Sequence, residues 1–157
     1  MFSQPIADEF IHIMVLAMTP VIELRGAIPY GMAHNLPFWP VFFVAFLGNL
    51  LPVPPIILFI RKIFTLLRRG RLLGPVIARL EEKAHLKGRL VNRYKTLGLF
   101  ILVAIPLPGT GAWTGALVAA FLDIRLRRAF PAIALGVLVA GLLVSAISYS
   151  AFFAFGF

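Results

Sequence analysis

Three long stretches of this chain carry no Asp, Glu, Lys or Arg: the 35 residues between Arg25 and Arg61, the 27 between Lys95 and Asp123, and the 29 that follow Arg128. About 20 apolar residues cross the roughly 30 Å hydrocarbon layer of a bilayer as a helix, so each stretch is long enough to span once. Of the 157 residues, 61% are hydrophobic and 13% charged, against about 45–50% and 25% in soluble domains. Such a chain has too few polar groups to cover an apolar core in water. The expectation is an all-α integral membrane protein, multi-pass in the cell (inner) membrane, with residues 1–157 forming a single membrane domain.

The charges set its topology. Of 15 cations, 11 lie between Arg61 and Lys95, and Arg125, Arg127 and Arg128 form a second group. The excess of Lys and Arg in cytoplasmic loops places both groups inside and both termini outside. The stretch from Lys95 to Asp123 then has both ends in the cytoplasm and must enter the membrane and return. Its apolar limbs, Thr96–Ile105 and Ala112–Leu122, are 10 and 11 residues long, and each reaches only about 15 Å as a helix, half a bilayer. Between them, Pro106-Leu107-Pro108-Gly109-Thr110-Gly111 cannot continue a helix and supplies the backbone freedom of a tight reversal. A re-entrant helical hairpin fits this pattern; one kinked spanning helix is the other reading.

The N-terminal region repeats the plan, with a short limb Phe10–Met18, a break at Thr19-Pro20, and a return through Glu23, Arg25, Gly26 and Pro29 to Tyr30–His34. Acidic residues precede it and no small-residue cleavage site follows, unlike a secretory signal. Sliding the sequence on itself by 88 positions lays Pro20 on Pro108, Val15 on Val103, Phe42 on Phe130, Gly48 on Gly136 and Leu50 on Leu138. Each copy continues into a span, Phe38–Ile60 and Ala129 to about Tyr149, and one crossing between copies inverts the second. The fold expected is thus two inverted repeats, 6–60 and 96–157, each a re-entrant hairpin plus a spanning helix, joined by the basic amphipathic cytoplasmic segment 61–95. Pro52, Pro54 and Pro55 should bend or unwind the first span. Broken helices at the midplane of inverted repeats are a transporter pattern.

The linker mixes its cations with Ile63, Leu66, Leu72, Val76, Leu80 and Leu90, the spacing of helices that lie in the headgroup layer, so membrane lipids are its expected partners. Nucleic acid is not, because no aromatic residues are interleaved with the charge. With no cysteine and three scattered histidines, His12, His34 and His85, thiol chemistry and a metal cluster find no residues. No nucleophile with a base and no carboxylate dyad appears, which argues against an enzyme, and no cofactor is implied.

Glu23 and Arg25 are the only charged residues between Glu9 and Arg61, and they sit beside the tip of the first hairpin. Intramembrane charge costs about 2.5–3.5 kcal/mol per residue on the insertion scale, so it reads as functional by default. One reading is a structural ion pair locking the hairpin tip. The other is a carboxylate exchanging a proton or cation, with a guanidinium holding an anion in two-point contact. Gly26 and Pro29 loosen the backbone there. At the second break, Pro106, Pro108, Gly109, Thr110 and Gly111 offer backbone amides and a hydroxyl to an anion, or else only a sharp turn. Trp113 and Thr114 follow within a turn and either line a cavity or pack. Asn49, inside the first span, needs a hydrogen-bond partner, most often the backbone of a neighbouring helix.

The segments Pro20-Val-Ile-Glu-Leu-Arg-Gly-Ala-Ile-Pro29, Gly48-Asn49 and Ile105-Pro-Leu-Pro-Gly-Thr-Gly-Ala-Trp-Thr-Gly115 together resemble the small multi-drug export protein family, over nearly the whole chain. The architecture also looks like that of the DedA membrane proteins, whose paired re-entrant hairpins imply translocation of lipid phosphates driven by ion gradients. DedA-type hairpins carry an acid and an Arg in both halves, whereas the second tip here is uncharged until Asp123. The function expected is an ion-coupled secondary transporter or flippase for a lipid-phosphate or small amphipathic substrate, with proton or sodium coupling. The alternatives are a cationic drug exporter and a non-transporting membrane scaffold or assembly factor. A homodimer is expected, since Gly48, Gly136, Ala140 and Gly141 offer close-packing faces.

The topology is testable because the chain lacks cysteine. Cysteines at Ser3, Thr65 and Arg125 should react with an impermeant thiol reagent from outside the cell only at position 3. Labelling of position 125 from outside would exclude the second hairpin.

Overall fold

A computed structural model describes residues 4–68, 88–107 and 109–155. Most of the basic linker, residues 69–87, and Pro108 lie outside the described residues. The described chain is helical, with no strand: α1 (Gln4–Met18), α2 (Glu23–Ala33), α3 (Phe38–Leu50), α4 (Val53–Arg68), α5 (Gly88–Ala104), α6 (Ala112–Phe121) and α7 (Leu126–Phe155). Among the described residues two stretches are long and apolar enough to cross a membrane, Phe38–Ile63 and Leu126–Ala151, each of 26 residues. Both exceed the spans expected from sequence by a few residues, because a helix does not stop where its side chains become charged. For the same reason α5 begins at Gly88, well before the apolar limb expected from Thr96.

The helix breaks fall where proline and local capping dictate. The Thr19 hydroxyl donates to the Leu16 carbonyl at 2.6 Å, closing the last turn of α1, and Pro20 follows. In the first span the chain leaves α3 at Leu50 and re-enters helix at Val53 after Leu51-Pro52, a short interruption at the Pro52, Pro54 and Pro55 cluster. α2 and α6 end alike. Asn35 and Asp123 adopt left-handed conformations, φ 55° and 54°, while the Leu36 amide donates back to the Gly31 carbonyl at 3.1 Å and the Ile124 amide to the Ala119 carbonyl at 2.9 Å. This six-to-one bond satisfies a terminal carbonyl that would otherwise be orphaned.

α1 and α2 fold back on each other, with Tyr30 donating to Glu9 at 3.0 Å. α5 and α6 do the same, since the Lys95 ammonium donates to the Leu122 carbonyl at 3.4 Å and Val103 lies against Gly115. α1 packs on α3 as α5 packs on α7, while α2 also meets α7, and α6 meets both α4 and α7. Ile13, Leu24, Ile28, Val41, Val103 and Ile133 form the buried centre.

Glycine sets the closest approaches. A Cβ on Gly48 would stand 2.9 Å from the Met14 carbonyl oxygen, and one on Gly136 would stand 2.7 Å from Val103 Cβ and 3.0 Å from the Phe100 carbonyl oxygen. Gly141 meets Leu24 and Phe42 in the same way. Gly48, Gly136, Ala140 and Gly141 are all buried within one chain. This corrects the expectation that these small residues build a dimer face: they are consumed by packing of the spans on the hairpin limbs.

Gly48→Val and Gly136→Val should therefore each destabilise the protein by about 1–3 kcal/mol through overpacking. Gly98 on α5 has nothing within 4 Å of a built Cβ, so Gly98→Ala should be neutral or stabilising by up to about 1 kcal/mol. Thermal unfolding in detergent checks the contrast.

Candidate functional site

Glu23 opens α2, and on a helix a residue two positions away points about 200° round the axis. Glu23 and Arg25 accordingly leave α2 in different directions, and no ion pair joins them: among the described residues the salt bridge is Arg61–Asp123. Each instead reaches the second helix break. The Glu23 carboxylate is 4% exposed, and its Oε1 accepts from the Trp113 amide at 3.1 Å, beside the Ala112 amide. It therefore sits on the N-terminus of α6, where unsatisfied amides and the helix dipole favour negative charge. As the first residue of α2 it also places an acid in the first turn of its own helix, where negative charge is favoured.

Arg25 caps the opposite pole. Its Nη1 donates to the Leu107 carbonyl, and its Nη2 donates to the Ile105 carbonyl at 3.5 Å and to the Thr110 hydroxyl at 3.1 Å. Ile105 and Leu107 carry the carbonyls at and just beyond the C-terminus of α5, the negative end of that helix. The two charges of the first break thus cover the two helix ends exposed by the second. The exchange is reciprocal, because the Trp113 indole Nε1–H donates at 3.0 Å to the carbonyl of Met18, the last residue of α1.

Local bonds hold the second break in shape. The Thr110 hydroxyl lies 2.8 Å from the Ile105 carbonyl and 2.9 Å from that of Leu107, and it accepts from the Leu107 amide at 3.2 Å. The Thr114 hydroxyl donates to the Gly109 carbonyl at 2.8 Å. Pro106 is half-buried between the end of α5 and this turn. Gly109 has φ 82°, in the region that favours glycine. Gly111 is glycine for a different reason: a Cβ there would occupy the space of the Glu23 carboxylate. On the first break, Val21 at φ 79° and Glu23 at φ 50° hold conformations that cost a non-glycine residue on the order of 1–3 kcal/mol. A Cβ on Gly26 would meet Ile22, and Pro29 inside α2 removes the amide that would have bonded the Arg25 carbonyl.

Asn49 completes the site from α3. It is fully buried, and its amide lies within reach of the Glu23 carboxyl. Neither polar atom of that amide has a hydrogen-bond partner, and Glu23 Oε2 and Arg25 Nε are also unpartnered. The helix-backbone partner expected for Asn49 is therefore not what it faces. The structure brings together Glu23, Arg25, Asn49, Thr110, Gly111 and Trp113, with Pro106, Gly109 and Thr114 shaping the turn and Gly26 and Pro29 shaping α2; Pro108 lies outside the described residues. Sequence reasoning missed the carbonyls of Met18, Ile105 and Leu107, which no side-chain pattern marks. It also missed the Arg61–Asp123 pair, in which Arg61 Nε stands 3.1 Å from Asp123 Oδ1 and joins α4 to the end of α6. Its signal was Asp123 itself, the only acid after Glu82.

With each charge matched by a helix end, losses of stability should accumulate. Glu23→Gln and Arg25→Met should each cost about 1–3 kcal/mol, the range for stranded polar groups, and the double variant should unfold no later than the weaker single one. A double variant that regained the wild-type melting temperature would show that the two charges stabilise each other directly.

No curated protein and no solved structure matches the chain. Residues 23–143 match the family described as Putative small multi-drug export protein. Those limits take in the second helix break, Glu23, Arg25 and Asn49, the whole first span and most of the second. The chain, with its two apolar spans, belongs to this family of membrane proteins.

Proposed function

We propose that the protein is a small secondary transporter or flippase in the cell membrane, in which two re-entrant hairpins enter from opposite faces and meet at their tips. The observation that carries this reading is that the buried Glu23 and the half-buried Arg25 are held against the two ends of a broken helix. Charges held on half-helix ends inside an apolar fold are how ion and substrate sites of inverted-repeat transporters are built.

The repeat has support beyond identical residues. The left-handed or glycine-like conformations occur at Val21, Glu23 and Asn35 in the first half and at Gly109, Gly111 and Asp123 in the second, each pair 88 positions apart. The spans open at Phe38 and Leu126, again 88 apart. The bond from Lys95 to the Leu122 carbonyl holds the two ends of the second hairpin level, as a loop that enters and leaves by one face requires.

In this reading Glu23 exchanges a proton or sodium ion, and its neutralisation loosens the contact with α6. Arg25 holds the α5 end while the tips separate. Small amphipathic substrates, drug-like cations among them, are suggested by the family description; lipid phosphates are what the resemblance to the DedA proteins implies. The chemistry is movement rather than bond-making.

Proteoliposomes loaded with a fluorescent lipid or a cationic dye test this under an imposed proton or sodium gradient. Glu23→Gln should lower gradient-driven movement at least tenfold while the folded protein stays in the membrane. Arg25→Lys should impair it as well, because an ammonium cannot make the forked contact. Full gradient-driven activity in Glu23→Gln would exclude the coupling role.

A further inference from the structure

The site holds more hydrogen-bonding capacity than its occupant uses. Glu23 engages the α6 N-terminus through Oε1, and Oε2 bonds to nothing. Around it stand the fully buried Asn49 amide, with neither atom bonded, and the free Arg25 Nε. Asn49 Nδ2 and Arg25 Nε are donors, and the Ala112 and Trp113 amides are two more. A carboxylate presents two oxygens to this group of donors; a tetrahedral oxyanion presents more.

The charge balance leads the same way. Two helix N-termini (α2 and α6) contribute roughly +0.5 each, two C-termini (α1 and α5) roughly −0.5 each, and Arg25 and Glu23 one unit of opposite sign. The sum is about zero with the carboxylate in place and about +1 without it. Space is arranged for the same exchange: Gly111 has no side chain where the carboxylate lies, and nothing stands within 4 Å of a Cβ built on Gly109.

We propose that the N-terminus of α6, with Asn49 and Arg25, is a seat for a substrate oxyanion, phosphate or carboxylate, and that the Glu23 carboxylate is an internal stand-in which the oxyanion displaces. The inference rests on the transport reading for the reason that the seat empties in turnover. Binding itself requires no gradient. Neutralising Glu23 removes both the occupant and its repulsion, so proton uptake and anion entry become one event. Asn49 is unbonded while Glu23 fills the seat, and its Nδ2 donates to the anion once the anion enters.

The chain's two tryptophans are Trp39 and Trp113; Trp39 is exposed and lies outside the site. Trp39→Phe leaves Trp113 as the sole indole reporter. The purified full chain in zwitterionic detergent, at constant ionic strength, is titrated with inorganic phosphate, acetate and dihexanoyl phosphatidate while Trp113 emission is followed. In this background Glu23→Ala should bind phosphate at least tenfold tighter than the parent. Glu23→Gln, which fills the seat but lacks the charge, should fall between them, and adding Asn49→Ala to Glu23→Ala should reverse the gain. Phosphatidate binding at least tenfold tighter than phosphate assigns the seat to a lipid headgroup, and equal binding assigns it to a free oxyanion. Should Glu23→Ala not stay folded, the comparison of Glu23→Gln with the parent decides. If neither variant binds any of the three anions more tightly than the parent, the seat does not exist. The ordered binding without gradient-driven transport would retain the seat and remove the transport reading; transport without the order would do the reverse.

Discussion

A helix that stops inside a membrane leaves amide and carbonyl groups without partners, and hydrocarbon supplies none. This chain stops helices in its apolar regions at Met18, Leu50 and Ala104, and its other features answer to that problem. Two breaks are set against each other so that each completes the other. Glu23 meets the amides of α6, Arg25 the carbonyls just beyond the end of α5, and the Trp113 indole the carbonyl ending α1. The third break, at Leu51-Pro52, lies just beyond Asn49, whose buried amide is aimed at the same carboxyl. Charge here is a capping device before it is anything else, which explains why the pair sits two residues apart and not at helical contact spacing.

Packing follows from the same need. Half-helices are too short to bury much area alone, so they must lie close to full-length spans to gain contacts. Gly48 and Gly136 permit that by bringing α3 onto α1 and α7 onto α5 at backbone distance. On one side of the molecule the Arg61–Asp123 pair ties the end of the first span to the end of the second hairpin. By the 88-residue offset the matching positions are Tyr149 and Asn35, which carry no charge. The two halves share a backbone plan and differ in what fastens them.

Much of this was legible in the sequence because lipid simplifies the code. Charge-free stretches mark apolar helices whatever their neighbours, and proline with glycine marks breaks, so the positions of the spans and both breaks could be read directly. The 88-residue offset, weak as a matter of identity, coincides with the backbone conformations at Val21 and Gly109, Glu23 and Gly111, and Asn35 and Asp123. The site's wiring was not legible. Spacing shows that Glu23 and Arg25 diverge, but nothing local says that one finds an N-terminus and the other a C-terminus 80 or more residues away. The acceptors are backbone carbonyls, which every residue has, and so leave no signature. Asn49 was expected to satisfy itself on a neighbouring helix; its open amide follows from a tertiary arrangement, not from its own sequence surroundings. The small residues expected at a subunit interface turned inward for a related reason, since close approach is needed first within the chain.

The contact between Glu23 and Gly111 joins two positions that are far apart in the gene. Because the carboxylate fills the volume in which any side chain at 111 would begin, the two sites cannot vary independently: a methyl group gained at 111 has to be matched by a shorter or absent acid at 23. If the halves arose by duplication, their divergence at this pair was a single choice, an acid on one copy and an empty position on the other. Under that origin the symmetry of the pair was lost where the two copies touch; a sequence with carboxylates at both positions would have to move its helix ends apart to fold.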